Sequence, residues 1–182
     1  MTKTHSQKNI FSTDDALAFW IPKRDEEQVI KSRSYLEEIT QVDDIWEPLK
    51  DQFLDVLAVD SPHTFHPESF TYGELAEKIS DAAFSFSHLG VEPDDVVAIF
   101  SENSPRWLIV DQGLMRIGAA DAVRGATAPP SELRYILEDS NAVGLIVQNS
   151  DVWERLSLGD DQKNSLKFVL QLEGKACKGV YE

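Results

Sequence analysis

The sequence holds a single cysteine, Cys177, in 182 residues. No internal disulfide can form, so an apolar core must hold the fold, and the count suits a reducing compartment. Long apolar runs are missing too. Nothing approaches the roughly 20 apolar residues of a membrane span. The opening Met1-Thr-Lys-Thr-His-Ser-Gln-Lys lacks the apolar stretch of about 7–15 residues that a signal peptide carries. The expectation is a soluble, cytoplasmic chain without a transmembrane segment. Positive charge is scarce: 17 Lys and Arg stand against 32 Asp and Glu, a formal net charge of −15. Such a surface repels phosphate backbones, so no nucleic-acid partner is expected. Glycine is scattered rather than clustered. Gly113, Gly118, Gly125 and Gly144 make no GxGxxG, and no GxxxxGK occurs, which takes away the main support for a dinucleotide-binding reading.

What is present is ordinary globular material, 42% apolar and 27% charged, enough for one domain or part of a larger one. Residues 1–43 carry mixed charge and the polar run Lys23-Arg-Asp-Glu-Glu-Gln, and they read as a partly mobile extension with little to bury. From residue 44 the pattern changes. Ile45, Trp46, Leu49, Phe53 and Leu54 fall at helical spacing, and Val56-Leu-Ala-Val follows as a short apolar strand.

Thr71 and Glu74 form the signature of a capping box, predicting a helix over 72–89 that buries Leu75, Ile79, Ala82, Ala83, Phe86 and Leu89 and stops at Gly90. Val96-Val-Ala-Ile-Phe100 reads as a strand buried on both faces. Ser104 and Pro105 open a second helix that ends at Gly118. A strand over 119–123, a helix opened by Ser131 and Glu132, the run Val143–Val147, a brief helix capped by Ser150 or Asp151, and the run Phe168–Leu172 complete an alternating βαβαβαβαβ order. The fold class expected is α/β, a partial parallel, Rossmann-like sheet with helices on both faces. Ligands of such sheets sit beyond the carboxyl ends of the strands, so the loops 101–104 and 124–130 face the ligand edge. Asn103, Ser104 and Arg124 are the candidate ligand-edge residues, Arg124 for an anion.

Other clusters weigh against bland readings. Asp60, His63, His66 and Glu68 combine imidazole with carboxylate, but two prolines break the spacing that would aim both rings at one metal ion, and a solvated surface loop is the better reading. Cys177 lies beside Lys175 and Lys178, which would lower its thiol pKa, but no histidine is near to serve as base. Trp107 and Tyr135 read as core residues of their helices, and Arg106 and Arg116 as solvated or paired cations. No catalytic or metal residue is assigned.

The segments Thr71-Tyr-Gly-Glu-Leu, Leu89-Gly-Val-Glu-Pro-Asp-Asp-Val-Val-Ala-Ile-Phe-Ser-Glu-Asn-Ser-Pro-Arg-Trp-Leu, Gly118-Ala-Ala and Tyr135-Ile-Leu-Glu-Asp-Ser resemble, in this order, the N-terminal part of adenylate-forming (AMP-binding) enzymes, and among them long-chain acyl-CoA synthetases. Gly118–Gly125 and Val59-Asp-Ser-Pro-His63 look like the cyanobacterial and plastid branch that activates fatty acids for acyl carrier protein. The resemblance spans about 44–172, and residues 44–182 would be the N-terminal part of the AMP-binding domain, truncated before the phosphate-binding loop. It implies a ligase that uses ATP and Mg2+ to convert a fatty acid to an acyl-adenylate and then passes the acyl group to the thiol of CoA or acyl carrier protein. Peripheral membrane contact is open to such a parent enzyme. The family's phosphate-binding loop and catalytic lysine have no counterpart in these residues, so the resemblance implies an inactive fragment. The alternative is a free-standing, non-catalytic α/β module that binds an acyl ligand or a protein partner.

Overall fold

A computed structural model describes residues 39–62, 67–175 and 181. The chain divides into the units Met1–Thr40 and Gln41–Glu182, and the elements below belong to the second. A 3-10 turn over Val42–Ile45 leads into α1 (Trp46–Phe53), which buries Trp46. Strands β1 (Leu57–Ser61) and β2 (Glu68–Thr71) pair antiparallel, with Val59 opposite Phe70. The strand expected first in the parallel order thus belongs to a separate two-stranded ribbon. Its physical reason is the short connection to β2, since parallel neighbours need a crossover of about a dozen residues or more. Asp60 and Glu68, expected in a solvated loop, lie on these strands, and His63 and His66 fall outside the described residues.

Thr71 ends β2 and caps α2 (Tyr72–His88): its Oγ1 accepts from Glu74 N at 3.2 Å, and Glu74 Oε2 accepts from Thr71 N at 2.9 Å. The predicted capping box is formed. Gly90, at φ +85°, ends α2 and turns the chain toward β3 (Val96–Phe100). Next come α3 (Pro105–Arg116), β4 (Ala120–Arg124), α4 (Pro130–Asp139), β5 (Gly144–Val147), α5 (Ser150–Leu156), α6 (Asp160–Ser165) and β6 (Phe168–Gln171). Ser104 Oγ accepts from Trp107 N at 3.0 Å and caps α3 as its sequence suggests. The cap of α5 is Asn149, whose Oδ1 accepts from Val152 N at 3.2 Å, rather than Ser150 or Asp151. Helix α6 went unforeseen because Asp-Asp-Gln-Lys-Asn-Ser has no apolar period.

The sheet runs β4-β3-β5-β6, and every pair is parallel. Strand alternation divides its core into two layers. Val97, Ile99, Ile146 and Phe168 face α2 and α3, meeting Phe86, Val110 and Leu114. Ala98, Phe100, Leu145, Val147 and Val169 face α4 and α5, meeting Leu133, Leu137, Val152 and Leu156. A third cluster, Trp46, Leu75, Ala76 and Ile79, seats α1 on α2. At Gly113 a Cβ would stand 2.8 Å from that of Ala82, so only glycine lets α3 approach α2 this closely. Trp107 packs in the layer of α2 and α3 as expected. Tyr135 does not reach the core: it is 63% exposed, because Leu133 and Leu137 set the inner stripe of α4 and Tyr135 lies off it. No helix of the described residues is long and apolar enough to cross a membrane.

Candidate functional site

Strand order places the ligand edge. The helix after β3 packs on one face of the sheet and the helix after β5 on the other, so the connections diverge between these neighbours at their carboxyl ends, the edge where such sheets receive ligands. Backbone ladders run past the strand ends along this edge. Ser101 N donates to Arg124 O at 3.1 Å, Gln148 N to Phe100 O at 2.9 Å, Leu172 N to Val147 O at 3.0 Å and Glu173 N to Gln148 O at 2.8 Å.

Gln148 is the hub of the edge. Its Oε1 accepts from Glu102 N at 3.3 Å and its Nε2 donates to Glu173 Oε2 at 3.4 Å, tying the loop after β3 to the turn after β6. Glu102 Oε1 also accepts from the Thr127 amide and hydroxyl, both at 3.4 Å. A Cβ at Gly125 would come within 3.1 Å of the same oxygen. On the next strand end, Arg106 forks onto Glu68, with Nη2 at 2.8 Å and Nε at 3.0 Å from Oε1, while its Nη1 donates to Leu172 O at 2.6 Å. Arg155 Nη2 donates to Ala126 O and holds the loop after β4 from the α5 side.

The three candidates from sequence sit here but do not converge on one point. Asn103 is exposed at the loop tip. Ser104 spends its oxygen capping α3. Arg124 donates through Nε to Glu132 Oε1 at 2.6 Å. The open space lies elsewhere on the edge, in a cleft of about 380 Å³ lined by Asn149, Ser150, Asp151, Glu173 and Gly174. Gln148 and this cleft have no forerunner in the sequence reading, although the strand-end rule that selects residues 101–104 and 124–130 extends to 148–151 and 173–174, which also follow apolar runs; Arg106, expected as a solvated or paired cation, is paired. Cys177 and Lys178 lie outside the described residues.

A nucleoside triphosphate needs a glycine-lined cradle of amides and uncompensated positive charge. The described edge presents Glu102, Asp151 and Glu173; of its arginines, Arg106 and Arg124 are engaged by carboxylates and Arg155 by the Ala126 carbonyl. Among the described residues no group of three or more metal-ligating side chains is placed to hold an ion. These residues do not fit ATP or Mg2+ by themselves, and the arrangement they form is a scaffold of interlocked loops.

Residues 51–179 match the family model described as AMP-binding enzyme. The chain is 37% identical over 134 residues to the probable acyl-activating enzyme 16, chloroplastic, of Arabidopsis thaliana, covering 74% of this chain and 19% of that protein. It is 36% identical over 134 residues to a chloroplastic long-chain-fatty-acid–acyl-carrier-protein ligase of the same plant, covering 74% of this chain and 18% of the relative. It therefore spans under a fifth of the length of these curated relatives. Among solved structures, an anthranilate CoA ligase in complex with anthranoyl-AMP superposes with a TM-score of 0.70 over 78% of this chain and 26% of that one, at 19% identity, a likeness of fold.

Proposed function

Because the chain belongs to the AMP-binding enzyme family, we propose that it forms the N-terminal part of a long-chain fatty-acid ligase, which activates the acid as an acyl-adenylate and delivers the acyl group to a thiol. The observation that carries the reading is the 36% identity over 134 residues with a ligase named for long-chain fatty acids and acyl carrier protein. The same likeness favours acyl carrier protein over CoA as acceptor. Net charge makes no contribution to that choice, since −15 offers an acidic carrier no attraction.

ATP and Mg2+ serve the assembled enzyme. In this reading the present residues supply the sheet and the loop scaffold, and the donors that stabilise charge on the transferring phosphorus come from other parts of the ligase. The isolated 182-residue chain is expected to show no fatty-acid-dependent exchange of pyrophosphate into ATP. Robust exchange would overturn that expectation. An antibody raised against residues 1–43 should detect a native protein several-fold heavier than 20.5 kDa that loads long-chain fatty acid onto acyl carrier protein. A native band at 20.5 kDa would replace the ligase reading with a non-catalytic module.

A further inference from the structure

At the opposite end of the sheet from the ligand edge, two carboxyl groups meet across the turn that joins α3 to β4. Asp121 is the register partner of Val97, which puts its side chain on the face covered by α3. Asp111 looks back from α3 and is only 6% exposed. The two carboxyls are hydrogen-bonding neighbours, and Asp121 Oδ2 is buried with no donor to meet it. Ionised carboxylates only accept, so this contact becomes a hydrogen bond when one of the pair carries a proton.

The surroundings say which one. Trp46 Nε1 donates to Gln112 Oε1 at 2.8 Å, which fixes the amide so that Nε2 points at Asp111 Oδ2, 2.7 Å away. Asp111 Oδ2 thus already has a donor while the buried Asp121 Oδ2 has none, which leaves the proton to Asp121. The cations on the neighbouring elements are drawn to other carboxylates, although Arg116 Nη1 is buried without a partner. Arg116 of α3 is held by Glu47 of α1 at 2.7 Å, and Lys50 of α1 by Glu77 of α2 at 3.4 Å. Lys167, before β6, pairs with Asp95 before β3 at 2.8 Å, and Arg124 at the far end of β4 pairs with Glu132 of α4 at 2.6 Å.

We propose that Asp111 and Asp121 share one proton and form a pH-sensitive clasp between α3 and β4, closed while the proton is held and loosened when it leaves. The titration has the matching sense. Burial first, then the hydrogen bond to Asp111 and its charge, push the Asp121 carboxyl from 3.8 up to about 6. The folded chain therefore binds this proton more tightly than the unfolded chain does. The stability it contributes is full below the ordinary carboxylate range and is gone once pH has risen through about 6. Gln112 connects the clasp to Trp46, so opening it also disturbs the seat of α1.

The test is thermal unfolding of the full chain between about pH 5 and pH 8, comparing wild type with Asp121→Asn, whose amide donates to Asp111 at every pH. Wild type should lose roughly 2–4 °C in Tm relative to the variant as pH rises across this window. Wild-type and variant curves that stay parallel would overturn the clasp. Should the variant fail to fold, carbon-13 carboxyl titration of labelled aspartates in the wild-type chain decides the matter: one midpoint near 6 supports the clasp, and all midpoints in the ordinary range refute it.

Discussion

Strands β4 and β5 lie on either side of β3 and pair with it in the same parallel sense, yet they are made of opposite material. β5 is Gly-Leu-Ile-Val, buried at every position, whereas β4 is Ala-Asp-Ala-Val-Arg, with Ala120, Val123 and Arg124 exposed. The difference follows from what lies beyond each strand. β5 has β6 on its outer side, and β4 has no neighbour there among the described residues. A parallel strand reads as a continuous apolar run only when both faces and both edges are covered. An edge strand tolerates charge, and charge there discourages unwanted pairing. The half-buried Asp121 is thus accommodated on the strand with the least at stake.

Truncation should measure that contrast. Leu145→Ala on β5 is expected to cost about 2–5 kcal/mol, and Val123→Ala on β4 under about 0.5 kcal/mol, both read from denaturant unfolding. Equal costs would break the distinction between centre and edge. Next in size is Gly144→Ala. Its new Cβ would overlap the Phe168 ring of β6, and a loss of about 1–3 kcal/mol is expected. Thr71→Ala, remote from both strands, removes the cap of α2 and should cost about 1 kcal/mol. The smallest effect belongs to Lys167→Met. Lys167 and the backbone amide of Glu92 hold the Asp95 carboxyl below its ordinary range, so the pair stabilises above that range and is lost as pH falls through the lowered value. Asp95 O also accepts from Ala120 N at 2.8 Å. The variant should therefore flatten the acid side of a Tm–pH curve by an amount that shrinks with added salt.

Much of this architecture was legible because the local and global signals agree. The capping box at Thr71, the Ser104-Pro105 start, the glycine stops at Gly90 and Gly118, and the apolar runs of β3, β5 and β6 each named an element and placed it correctly. The hairpin was less legible. The apolar run Val56–Val59 reveals a strand but not its partner, and pairing sense depends on connection length, which such a run does not report. Helix α6 carries no apolar stripe. At the ligand edge, residues 101–104 and 124–130 follow two of the four strand ends, and the cleft lies beyond the other two. The pairing of Arg124 with Glu132 and of Arg106 with Glu68 depends on side-chain geometry that spacing alone does not express. The acid pair was hidden for the same reason: Asp111 is one polar residue among many on α3 until Asp121 is brought against it.

The fork of Arg106 has a consequence for the order of folding. It grips Glu68, 38 residues back along the chain, and the carbonyl of Leu172, 66 residues ahead. The first grip waits on the ribbon and the second on the last strand, so loop-closure entropy sets the completed fork late. A latch formed after the rate-limiting step holds the native state in place without hastening its assembly. Arg106→Met should then leave the refolding rate of the chain near its wild-type value and speed its unfolding, moving one arm of the chevron and sparing the other.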